Sequence, residues 1–107
     1  IAAVLRENKS LNALNLGGNQ IGDQGVMALF PALLEAERLT RLHLHRNRLC
    51  DGAATILAEA AKANTSIREL YLGDNHIGDI GAEALAGALL QSSGLVKLQL
   101  PSNNISD

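Results

Sequence analysis

Apolar residues recur along this chain at one period. Leu11, Leu39, Ile67 and Leu95 stand 28 residues apart. Leu14, Leu42, Leu70 and Leu98 keep that spacing, and so do Leu16, Leu44, Leu72 and Leu100. A polar position keeps it too: Asn19, Asn47, Asn75 and Asn103. Ile21, Leu49, Ile77 and Ile105 follow, and then Asp23, Asp51, Asp79 and Asp107. Self-similarity at a fixed period is the mark of a repeat architecture.

The periodicity changes within each unit. Leu14-x-Leu16 alternates, which predicts a short strand. From about Asp23 to Ala36, Gly25, Leu29 and Leu33 share one helical face, with Ala28 and Ala32 beside them. Gly81, Leu85 and Leu89, with Ala84 and Ala88, repeat that face. The recurring Asp is expected as the helix N-cap. Pro31 falls inside the first helix and is expected to kink or shorten it. The second unit departs from the others, with Ala53 at the glycine position and Gly52 one place early. Strand, turn, helix and return make the unit. Successive strands share a direction, so they form a parallel sheet with helices on its other side. One unit cannot bury its apolar face alone, and stacked units can.

The unit boundaries follow from the period. Residues 1–10 read as the second half of a helix. Residues 11–38, 39–66 and 67–94 are full repeats, and 95–107 is a strand and turn ending at the expected cap Asp107. The whole reads as a single segment of a longer array, with neighbouring repeats of the same chain expected at both ends.

The pattern L-x-x-L-x-L-x-x-N-x-(I or L), in four copies, resembles a leucine-rich repeat. The 28-residue period and full-length helix resemble the ribonuclease-inhibitor-like subclass. The resemblance covers the whole chain. It implies an α/β solenoid, a right-handed β/α horseshoe segment with the parallel sheet concave and the helices convex. It implies a structural ladder for Asn19, Asn47, Asn75 and Asn103, whose amides bond backbone groups of their own and adjacent coils. It also implies a non-catalytic, intracellular scaffold that binds a protein partner through the concave strand face. Two alternatives belong to the same resemblance: a regulator of an enzyme, such as a GTPase-activating protein of the Ran-activating type, and a structural brace within a large assembly.

Composition narrows the setting. The chain is 47% hydrophobic, 19% charged and 2% aromatic, with net charge −2. It is too apolar for a disordered tail. Its single cysteine, Cys50, excludes a disulfide framework and points to a reducing, cytoplasmic compartment. No apolar run is long enough to span a bilayer. Three N-x-S/T sequons begin at Asn8, Asn64 and Asn104, and are read as chance occurrences.

Residues between the strand leucines point away from the core, so the outer face can be read in rows. One row is Ala13, Arg41, Glu69 and Lys97, and another is Asn15, His43, Tyr71 and Gln99. A third is Gly18, Arg46, Asp74 and Ser102. The candidate partner-binding residues are Arg41, His43, His45, Arg46, Glu69, Tyr71, Asp74, Lys97 and Gln99. Arg41–Glu69–Lys97 and Arg46–Asp74 are expected as cross-strand ion pairs. Arg41, Arg46, Arg68 and Lys97 outnumber Glu69 and Asp74 on an otherwise acidic chain, which suits an acidic protein partner. The excess is too small, and aromatic residues too few, for nucleic acid. His43 and His45 lack a firm third ligand, so no metal is expected. No nucleophile, base and orienter converge, and no phosphate loop is present, so neither catalytic residues nor a cofactor are expected.

Overall fold

A computed structural model of the chain describes residues 10–64, 66–91 and 94–105. The expected leading helix lies almost wholly outside the described residues, and so does Asp107. Seven elements follow in order: β1 (Ala13–Asn15), α1 (Asp23–Glu35), β2 (Arg41–His43), α2 (Asp51–Ala63), β3 (Glu69–Tyr71), α3 (Asp79–Gln91) and β4 (Lys97–Gln99). The four strands form one parallel sheet in sequence order. The expected rows are rows of that sheet. Ala13, Arg41, Glu69 and Lys97 pair across it, and so do Asn15, His43, Tyr71 and Gln99.

The core lies between sheet and helices. Leu39, Leu42, Leu44 and Leu49 are fully buried, as are Leu72, Ile77 and Leu85. In α1 the buried face is Val26, Leu29, Ala32 and Leu33, turned by one residue from the face expected on Gly25. Gly25 stays exposed, with the Ile21 side chain against its Cα. Ala28 is exposed as well. Pro31 does not shorten α1, which has 13 residues like α2 and α3. Pro31 faces solvent.

The recurring Asp is not the cap of its own helix. It is the first helical residue, and the N-cap positions of α1 and α2 are Gly22 and Cys50, neither with a side-chain capping bond. The carboxylate reaches the next coil instead. Asp51 Oδ1 accepts the amide hydrogens of Gly78 and Gly81 at 2.7 and 3.0 Å. One coil thus caps the helix of the coil after it, satisfying amides that α3 cannot pair internally. A Cβ on Gly81 would fall 2.7 Å from Asp51 Oδ1, so this approach requires the glycine. The irregular second unit now has a physical account. Ala53 stands where that glycine would be, and Asp23 Oδ1 accepts from Cys50 N at 2.8 Å instead. The Asp23 carboxylate leans over Gly52, the displaced glycine.

Candidate docking surface on the strand face

The turn after each strand carries the asparagines. Asn47 Nδ2 donates to Leu16 O at 3.0 Å and to Leu44 O at 3.0 Å, while its Oδ1 accepts from Asn19 N and Ile21 N. Asn75 repeats the arrangement one coil on, donating to Leu44 O and Leu72 O and accepting from Asn47 N and Leu49 N. Asn103 donates to Leu72 O and Leu100 O. Asn19 donates to Leu16 O and Gly17 O. An amide with two donors and one acceptor suits a turn whose backbone groups have no ladder partner. The residue before each Asn (Gly18, Arg46, Asp74, Ser102) has φ between 55° and 72°. That left-handed step swings the chain from strand into turn and aims Arg46 and Asp74 along the rim of the sheet.

Helix exits have a polar support of their own, which the repeat pattern did not reveal. Asn64 is buried and donates to Leu33 O at 2.6 Å and Ala36 O at 2.9 Å. The Ser66 hydroxyl lies within hydrogen-bond reach of Leu39 O and Ala36 O and has one hydrogen to donate between them. From the following coil these side chains take up carbonyls at the end of α1, at its C-cap and in the segment after it. The sequon at Asn64 is therefore an interior hydrogen-bonding device.

On the outer face the row residues meet laterally. Parallel strands lie about 4.8 Å apart, which sets flat side chains at stacking distance. His43 and Tyr71 stack with ring centroids 4.3 Å apart and planes at 1°. His45 meets His43 edge-on at 6.0 Å. Lys97 Nζ lies 5.4 Å from the centre of the Tyr71 ring, a cation–π contact of about 0.5–1 kcal/mol at an exposed site. The Tyr71 hydroxyl donates to Glu69. Glu69 therefore serves Tyr71, and the expected Arg41–Glu69–Lys97 ion-pair row does not form among the described residues. Arg46 and Asp74 do approach, at 3.9 Å between Nε and Oδ2, with side chains 76% and 56% exposed. Burial holds the His43 imidazole below its ordinary pKa; His45 and Arg41 add to the effect, and Glu69 opposes it.

An open cleft of about 400 Å³ lies on this face. It brings together His43, His45, Arg46, Tyr71, Asp74 and Gln99 from the expected set, and adds Gly73 and Pro101. Arg41, Glu69 and Lys97 flank it. The two additions had a signal in the sequence: Gly17, His45, Gly73 and Pro101 share one register position and alternate absent and bulky side chains. A smaller apolar groove of about 130 Å³ lies on the helix side, lined by Met27, Phe30, Thr55, Ile56 and Glu59. Among the described residues no three His, Cys, Asp or Glu side chains converge as metal ligands. No described helix is long and apolar enough to cross a membrane.

A family model described as Leucine Rich repeat matches residues 7–30 and 63–86. These are leucine-rich repeats. Solved leucine-rich-repeat folds superpose on most or all of the chain. The structure of leiomodin-1 actin-binding site 2 matches at 26% identity and TM-score 0.85, over 96% of this chain and 60% of that one. The tropomodulin C-terminal domain of Caenorhabditis elegans matches at 19% identity and TM-score 0.80, over 91% and 59%. An internalin from Listeria monocytogenes matches at 24% identity and TM-score 0.54, over 100% and 33%. The chain thus spans about three fifths of the first two structures. No curated protein sequence matches it.

Proposed function

We propose that these leucine-rich repeats form a non-catalytic protein-binding module whose partner docks on the strand face. One observation carries the reading. Core, asparagine and aspartate positions repeat from coil to coil, whereas the outward strand residues change in every coil and together enclose the cleft beside the His43–Tyr71 stack. Tyr and Arg at the centre of a concave face are the residue types that anchor interfaces. An intracellular, reducing setting suits the exposed free thiol of Cys50 and the buried Asn64.

The test is site-specific photo-crosslinking in cells, with the crosslinker at Gln99 on the strand face or at Glu59 on the helix face. Capture of a discrete protein from Gln99, lost on combined substitution of His43 and Tyr71 by Ala, is the expected result. Capture from Glu59 alone would move the contact to the helices.

A second reading follows from the leiomodin-1 likeness, whose matched structure is an actin-binding site. Under it the partner is actin, and the chain braces a filament or its end. Cosedimentation with actin filaments, with actin monomers as the parallel arm, decides it; no binding in either arm removes actin as the partner.

A further inference from the structure

We infer that the cleft beside Gly73 takes a carboxylate side chain from an acidic segment of the partner, an assignment that rests on the docking surface proposed above. The cleft exists because of a leaning pattern in one row. The His45 imidazole lies on Gly17, where a Cβ would fall 2.4 Å from its Nε2. Pro101 lies against Gly73 in the same way, 3.2 Å from where that Cβ would be. Each bulky residue leans toward the glycine of the coil before it. His45 therefore leans away from coil three while Pro101 covers Gly73, and the cleft is the gap left between the two. The space left is bounded by His45 and Pro101 at the sides and by Tyr71 and Gln99 below, with Arg46 and Asp74 at the rim.

The lining selects an anion. Arg46 offers a guanidinium with five donors, whose one ion-pair contact among the described residues is long and exposed, to Asp74. Such a pair is worth about 0–1 kcal/mol, so an incoming carboxylate takes Arg46 at little cost. The Gln99 amide and the His45 ring add N–H donors. Arg41 and Lys97 stand one outward position along the strands from His43 and Gln99, and the Glu69 carboxylate accepts from the Tyr71 hydroxyl. Tyr71 and Pro101 give a short aliphatic stem something apolar to lie on. Surrounding cations steer the approach of an acidic chain, an effect that weakens with salt.

Fluorescence anisotropy of labelled decaglutamate with the full chain tests the assignment, with decaglutamine and decathymidylate as parallel probes. Decaglutamate is expected to bind, and decaglutamine is not. Arg46→Gln is expected to weaken decaglutamate binding at least fivefold, and Asp74→Asn to tighten it at least twofold by removing the competing carboxylate. Gly73→Val drives a side chain against Pro101 at the floor of the cleft and is expected to weaken binding at least fivefold. Arg46 and Asp74 are surface positions, so this pair decides the matter if Gly73→Val fails to fold. Equal binding by Arg46→Gln and the parent overturns the assignment, as does tighter binding of decathymidylate than of decaglutamate. Gln99 crosslinking separates the two readings. Capture that survives Arg46→Gln retains the docking face and removes the carboxylate; absence of capture removes both.

Discussion

At the scale of single residues, His43 shows how a strand face acquires chemistry from position alone. Its neighbours on the sheet are Arg41 and His45 on its own coil, Tyr71 and Glu69 on the next, and Lys97 beyond the Tyr71 ring. Burial first, and then the neighbouring His45 and Arg41, lower its pKa from the usual 6.5. The sign of the stability effect follows. Between the folded and unfolded pKa values the unfolded chain binds the extra proton more readily. The contribution is therefore complete above pH 6.5 and declines as the pH falls through 6.5 toward the lower folded value. Denaturant midpoints measured at pH 7.5, 6.5 and 5.5 should fall, and His43→Gln should flatten that fall. A profile equally steep in the variant would remove His43 as its source. Asn64 is the converse case. Its amide nitrogen makes two buried bonds to carbonyls of the preceding coil, so it behaves as core despite sitting in a sequon.

At the scale of elements, the helices are joined by charge across coils. Asp51 accepts two amides of the α3 start, and Asp23 accepts one at the α2 start. Hydrogen bonds to a charged acceptor contribute about 1.5–3 kcal/mol net when buried and less when part-exposed. Asp51→Ala is expected to cost about 2 kcal/mol, and Asp23→Ala distinctly less. Chemical denaturation of the two variants side by side checks the order, and equal losses would contradict it. The strands, the helices and the lateral rows were legible in the sequence because each depends on one periodicity that repeats. The role of the Asp was not. The residue type and position fit an ordinary N-cap, and only the stacking distance between coils shows that the carboxylate reaches forward. The ion-pair row failed for a related reason. Register placed Glu69 between Arg41 and Lys97, but the Tyr71 hydroxyl two residues along the same strand competes for it. The cleft escaped a search for charged and aromatic residues because it is a gap between His45 and Pro101, each drawn over the glycine of the coil before it.

At the scale of the whole molecule, burial is graded across the sheet. Leu39, Leu42 and Leu49 of the second coil are sealed, while their equivalents Leu11, Leu14 and Ile21 in the first are only partly buried. On the far side Leu89 is 37% exposed where its equivalents Leu33 and Ala61 are buried, and Ile105 is 39% exposed where Leu49 and Ile77 are sealed. Open sheet edges with apolar residues beside them invite pairing with another chain. The 107-residue chain is therefore expected to self-associate with rising concentration, and Leu89→Glu with Ile105→Lys to reduce it. Sedimentation velocity across a hundredfold dilution would show this, and a concentration-independent monomer would refute it.

Among the described residues the bonds between coils run between residues separated by nearly one period: asparagine amides reach back and aspartate carboxylates reach forward. A consequence follows for how the gene can change. Gain or loss of 28 residues hands each asparagine bond a chemically equivalent partner in the new neighbour, while the aspartate bonds depend on which coil follows. Gain or loss of any other number within a strand or turn leaves an amide facing the wrong carbonyl along the whole seam. Length in this molecule is thus quantised, and unequal recombination in steps of one coil can remodel the outer face while the scaffold carries on unaltered.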